Sequence, residues 1–271
     1  MIIGKAISPF AIKRRTATVP TDADAQAFIT ASGISGTEAT AINTLVVNLK
    51  SANVWTKMKA VYPFVGNTAS TQKWNLKDAR DLNAAYRLVF SGGGTFSSNG
   101  YLPNGTNAYA NTFLNTLTQI PTTGHISYYS RTQIITTTQT DMGNINNIPP
   151  TSSNFITSTA TINVGYYGNT LNFTTQNISD KRGYIISSKT SSTSLKLYNN
   201  GSLVSTENSS NTVSAPNLNL FIGARNNNGT AETYSVKQCA FASIGDGLTD
   251  AEALAFYNAV QTFQTTLGRQ V

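Results

Sequence analysis

The stretch SLKLYNNGSLV, residues 194–204, decides how the rest of the chain is read. Leu195 and Leu197 alternate with Ser194 and Lys196, the period of a half-buried strand. Asn200 and Gly201 follow, and both tolerate the positive φ that a two-residue hairpin turn demands. A second strand leaves through Leu203 and Val204. The unit is an antiparallel hairpin.

The same signature recurs on either side. HISYYSRTQI (125–134), TATINVGYYGNTLNF (159–173), RGYIISSK (182–189) and LNLFIGAR (218–225) read as strands between turn-rich polar segments. Their spacing and turn density predict a two-sheet sandwich and not βαβ units. SGGGT (91–95) lacks the lysine and the strand-to-helix setting of a phosphate loop and reads as a turn.

Composition agrees. Of 271 residues 39% are hydrophobic and only 11% charged, so Asn, Ser, Thr and Gly fill the solvent-facing positions of an all-β body. Twelve Tyr, 12 Phe and 2 Trp argue against disorder. The net charge is +7, but the cations are scattered except for Lys5, Lys13, Arg14 and Arg15. Nucleic-acid binders gather theirs on one face, so no nucleic-acid partner is expected. Cys239 is alone, which rules out an intrachain disulfide. No apolar run is long enough to span a membrane. The first basic cluster follows the apolar residues, the wrong order for a secretory signal, so synthesis in a cytoplasm is expected.

Three segments follow from these patterns. Residues 1–20 read as an extended basic and apolar arm, with Ile2, Ile3, Phe10, Lys13, Arg14 and Arg15 suited to anchoring on a partner. Residues 21–58 read as helical: Thr21 is placed as an N-cap, Gly33 as a stop, and Ser35 with Glu38 as a capping box. Ile42, Leu45, Val46 and Leu49 then recur at helical spacing, to seat the helices on a β core. Residues 59–271 read as the sandwich with a C-terminal helix. That helix starts at a second capping box, Thr249 and Glu252, carries the stripe Leu254, Tyr257, Val260, Phe263 and Leu267, and stops at Gly268.

These residues carry a resemblance. LKLYNNGSLV is similar to a hairpin of concanavalin A-like (LamG-type) jelly-roll domains. LFIGARNNNG, followed by CAFASIGDGLTDAEALAFYNAVQTFQTTLGR, resembles their closing strand and helix. VYPFVGNTASTQKWNLKDARDLNAAYRLVFSGG with SSNGYLPNGTNAYANT resembles bacteriophage virion proteins that carry this module behind a small helical region. The resemblance implies a mainly β, concanavalin A-like jelly-roll sandwich with an N-terminal helical region and a C-terminal helix. It implies a virion structural protein (head fibre, capsid decoration or tail-associated adhesin) with other virion proteins as partners. A homo-oligomer, trimeric for a fibre, and a host surface glycan as ligand are further implications.

Such folds also host glucanases, which need two carboxylates facing the bond about 5–9.5 Å apart. The E-x-D-x-x-E string of laminarinase-like relatives is absent, and between residues 82 and 245 the acids are only Asp141, Asp180, Glu207 and Glu232. The expectation is therefore a protein that is not an enzyme; the rival is a virion-associated polysaccharide-degrading glycosidase, and a third reading is a decoration protein without ligand. His125, the one histidine, is expected at the surface or at a cap. One His and one Cys make a zinc site implausible. Asp141, Asn144, Asn146 and Asn147 are expected to form a loop with Asx-turns and not a calcium site. No metal and no cofactor are expected. For a sugar, which is apolar on its faces and polar at its rim, the candidates are Tyr166 and Tyr167 for stacking and Arg225 and Asn226 for hydrogen bonds.

Overall fold

The computed structural model describes residues 21–133, 136–159, 162–168, 173–178 and 180–271; for 162–164 and 166–168 it describes the backbone alone. The anchoring residues Ile2, Ile3, Phe10, Lys13, Arg14 and Arg15 lie outside the described residues.

Two β-sheets and a layer of helices stack in three tiers. The helices are α1 (Ala23–Ser32), α2 (Gly36–Ser51), α3 (Ala69–Gln72), α4 (Thr116–Gln119) and α5 (Asp250–Thr266). The first sheet has eight strands: β1 (Met58–Tyr62), β3 (Thr95–Ser97), β4 (Gly100–Leu102), β6 (Gly124–Ser130), β11 (Gly183–Ser191), β12 (Ser194–Asn199), β13 (Ser202–Glu207) and β17 (Cys239–Gly245). The second has nine: β2 (Val89–Ser91), β5 (Tyr109–Asn115), β7 (Gln139–Asn146), β8 (Ser152–Ser158), β9 (Ile162–Gly168), β10 (Phe173–Asn177), β14 (Asn219–Ile222), β15 (Arg225–Asn227) and β16 (Thr230–Glu232). The orders are β13-β12-β11-β6-β17-β4-β3, with β1 also on β17, and β10-β9-β8-β7-β14-β5-β2. The opening hairpin forms as read: Asn200 and Gly201 take φ of 48° and 78° between β12 and β13.

Between the sheets Ile126, Tyr128, Ile185 and Leu197 meet Leu114, Met142, Ile156 and Ile222. The next residues along the same strands of the first sheet, Tyr129, Tyr184, Ile186 and Tyr198, turn the other way and pack against Phe28, Leu45, Phe256 and Phe263 of the helices. Both faces of the first sheet are therefore covered, and β6 and β17 are buried at every position. In the second sheet β7 and β8 are likewise buried at all but one position, so its partly exposed side chains lie on β5, β10 and the β15–β16 pair. Along β5 the odd positions from Tyr109 to Asn115 are half-buried while Ala110, Thr112 and Leu114 are buried, the alternation of a one-sided sheet.

The helix signals hold in outline and shift in detail. Asp22 caps α1, not Thr21, and is held by Lys50. Gly33 ends α1 in the left-handed conformation. Ser35 precedes α2 but its side chain makes no cap bond, because Glu38 instead accepts the Gly66 N–H at 2.8 Å. The box of Thr249 and Glu252 forms at α5, and Lys57 reinforces it at 2.6 Å from Glu252. The buried stripe of α5 is Ala253, Phe256, Ala259, Val260 and Phe263, while Leu254 points to solvent at 47% exposure. The spacing holds, and the phase at the start differs by one residue, roughly a quarter turn.

Arg269 locks this layer down. It is 1% exposed and has no carboxylate partner among the described residues. Its guanidinium donates to the carbonyls of Pro63 (2.7 Å), Phe64 (3.0 Å), Ser98 (3.1 Å) and Ala240 (3.0 Å) and to Gln264 Oε1 (2.6 Å). Burial pulls it down to about 9, which still leaves it charged at neutral pH.

Candidate functional site

With the helices on the first sheet, the outward face of the second sheet is where the sandwich can present strand residues to a ligand. Ladder pairing lines up one transverse row there: Val89, Asn111, Phe221, Gly143, Phe155, Tyr166 and Phe173. Their neighbours Ile222, Met142 and Ile156 point into the core, so the described row members point out. Gly143 is required where it stands. Its φ is +151°, and a Cβ would overlap Phe155 and come within 2.6 Å of the Asn154 carbonyl.

Above this row β15 and β16 form a hairpin. β15 pairs parallel with β7, placing Arg225 beside Gly143, and pairs antiparallel with β16. The turn is Asn228 and Gly229, at φ of 49° and 96°, the same dipeptide that closes the opening hairpin. Asn226 braces it from below: it is 3% exposed, donates to the Asn219 carbonyl at 2.8 Å and accepts the Gly229 N–H at 2.8 Å.

Two half-exposed groups stand on buried aromatic supports. Tyr109 stacks on Phe221 with centroids 4.6 Å apart and planes at 27°, and Tyr234 lies 6.5 Å from it. The Arg225 guanidinium sits 5.3 Å from the Phe155 centroid. Its Nε and Nη2 both donate to Glu232 Oε1, at 2.9 and 2.6 Å. That arrangement leaves Arg225 Nη1 as a donor and Glu232 Oε2 as an acceptor, on side chains 22% and 33% exposed. On the same face Asn227 Oδ1 has no hydrogen-bond partner among the described residues. A flat ring beside a fixed fork of donors and acceptors suits a ligand with apolar faces and hydroxyl rims.

Of the residues read from sequence, Arg225 is in this site and Asn226 supports it from within. Tyr166 and Tyr167 have backbones on β9, opposite Phe155 and Asn154; their side chains lie outside the described residues. Tyr109, Phe221, Glu232 and Tyr234 went unread, although the Asn228-Gly229 dipeptide marked the hairpin that gathers them.

Other candidates sit elsewhere. His125 is not at the surface: it is fully buried beneath α5, edge-on to Phe256 at 5.8 Å. Nδ1 meets the Asp246 carbonyl at 2.7 Å, so it must donate. Nε2 then accepts from Ser243 Oγ (3.0 Å), which accepts from Ser127 Oγ (2.6 Å), which accepts from the Tyr184 hydroxyl (2.8 Å). Every bond in this chain points one way, toward a neutral imidazole, and burial drives its pKa down to about 4. Asp141 and Asn144 are not in a loop but on β7, both fully buried. Asp141 pairs with buried Lys237 at 2.7 Å and accepts from Ser158 and Ser235. Among the described residues no group of three His, Cys, Asp or Glu side chains could hold a metal, and no helix is long and apolar enough to cross a membrane.

No family model matches the chain, and no curated protein matches it. Solved structures do match in fold. One is of botulinum neurotoxin type C, whose cell entry depends on interaction with two ganglioside molecules: TM-score 0.54 at 12% identity, over 78% of this chain and 53% of that one. Another is a sialidase from Trypanosoma rangeli: TM-score 0.53 at 9% identity, over 81% of this chain and 39% of that one. A domain of a GH43 arabinanase from Geobacillus stearothermophilus, in complex with arabinotriose, aligns at a TM-score of 0.47 and 16% identity, over 74% of this chain and 98% of that one. The chain thus spans about half of the toxin chain and less of the sialidase. At these identities the likeness to the toxin and sialidase structures establishes the two-sheet β-sandwich fold. It also corrects one expectation. Sialidases, including one described as a covalent intermediate, contain this fold, so the shortage of acids along the strands does not make the chain a non-enzyme.

Proposed function

We propose that this sandwich binds glycans through the outward face of its second sheet, with Tyr109 as the stacking platform and Arg225 and Glu232 as the hydrogen-bonding edge. The observation that carries this reading is the preorganised pair of supports. Phe221 under Tyr109 and Phe155 under Arg225 fix both contact groups before any ligand arrives, which lowers the ordering cost of binding. The sugar-related neighbours support it at the level of the fold. The test is a glycan array followed by titration of Tyr109→Ala and Arg225→Ala. Each is expected to weaken binding by about tenfold or more with the circular dichroism spectrum unchanged. Unchanged affinity in both variants would remove the site. The same incubations, analysed for shortened glycan products, report whether Glu232 also serves in bond cleavage.

The finer reading is a bacteriophage virion protein anchored by residues 1–20 and the helical layer, with the sandwich displayed outward. It rests on the resemblance of the upstream block to virion proteins. Its test is the location of the protein in assembled particles. A chain lacking residues 1–20 that still enters particles at normal occupancy would remove the arm as anchor.

A further inference from the structure

The nine strands of the second sheet hold only three charged residues, Asp141, Arg225 and Glu232. Asp141 is fully buried and neutralised by Lys237. The other two neutralise each other through Nη2 and Oε1 at 2.6 Å. The strands that carry the candidate site therefore contribute no net charge, in a chain whose overall charge is +7. What their outer face offers instead is a supported ring, one guanidinium N–H, one carboxylate oxygen, and the uncharged, partly exposed side chains of Asn111 and Asn227. Asn227 Oδ1 has no hydrogen-bond partner among the described residues, and such an atom favours a ligand or water that supplies a hydrogen bond.

We infer that the ligand is a neutral glycan, one bearing hydroxyls but no sialic acid, uronate or sulfate. This rests on the sugar-binding reading above and adds the ligand's charge class. An acidic sugar needs a cation that is not already spent on a carboxylate, and Arg225 is tied to Glu232 through two of its three nitrogens. Bringing a carboxylate beside Glu232 would place like charges together in a half-buried setting, which disfavours binding. A neutral hydroxyl can accept from Arg225 Nη1 and donate to Glu232 Oε2 at once.

The experiment uses the full chain on an array that holds neutral oligosaccharides (gluco-, galacto- and arabino-series of increasing length) beside sialylated and uronate-containing ones. Binding to neutral glycans is expected. Raising NaCl from 50 to 500 mM should change the dissociation constant by less than about twofold, because no net charge is screened. Binding confined to acidic glycans, or a tenfold loss on adding salt, would overturn the inference and leave the sugar-binding reading standing. Binding to no glycan of either class would overturn that reading as well.

Discussion

The two sheets have opposite fates. The first is roofed by α1, α2 and α5; the second has no such roof, and although β7 and β8 are buried nearly throughout, side chains of β5 and of the β15–β16 pair on its outer face reach solvent. The His125 chain closes a run of buried polar groups inside the covered sheet, whereas on the other sheet Arg225 Nη1 and Glu232 Oε2 have no partner among the described residues. The difference teaches where to look for each kind of defect. Changes beneath the helices should act on stability, and changes on the half-exposed side chains of the open face should act on binding.

The largest effect is expected from Arg269→Met, which removes five hydrogen bonds and strands buried carbonyls of three distant segments. A loss of about 3–5 kcal/mol in urea unfolding is expected. A loss under about 1 kcal/mol would mean that the roof is held by apolar packing alone. Gly143→Ala breaks the simple contrast, because it lies on the open sheet yet should cost about 3 kcal/mol through backbone strain and overlap with Phe155. A variant as stable as the parent would show that the row can shift to make room.

Acid sharpens the comparison next. His125 sits near 4 when folded and near 6.5 when unfolded, so the unfolded chain binds more protons between those values. Its contribution is complete above about pH 6.5 and drains away as pH falls toward 4, amounting to about 2 kcal/mol by pH 5. Protonating Nε2 would also reverse the one-way chain and leave the Tyr184 hydroxyl hydrogen without its Ser127 acceptor. The carboxylates that lysines and arginines hold low, such as Asp22 and Asp78, lose their contributions only at more acid pH. Denaturation midpoints that stay level from pH 7 to pH 5 would sink this account. The smallest effect on stability is expected from Arg225→Ala, under about 1 kcal/mol, since the ion pair is partly exposed. A larger loss in thermal melting would turn Arg225 from a contact residue into a structural one.

Local signals were legible in the sequence and distant ones were not. The Asn200-Gly201 turn, the Gly33 stop and the Thr249 box depend on residues within a few positions, and each formed. The face of α5 was misread because Leu254 outranks Ala253 in hydrophobicity, while the packing against Tyr184 and Phe241 chose Phe256 and its neighbours. Arg269 gave no sign of its role, since its carbonyl partners at Pro63, Phe64 and Ser98 lie 171–206 residues away. The site was half legible for the same reason. Arg225 and Asn226 stood out beside a hairpin, but the meeting of Phe221 with Tyr109, or of Arg225 with Phe155, depends on strand order and register.

The tip of the 225–232 hairpin is both exposed and unobstructed: a side chain added at Gly229 would touch nothing within 4 Å. Its stem is fixed by the parallel ladder to β7 and by the Asn226 amide. Extra residues spliced between Asn228 and Gly229 would lengthen the finger without moving its base. Variants of this chain could thus diversify what they touch at one point, keeping a constant frame beneath a changeable tip.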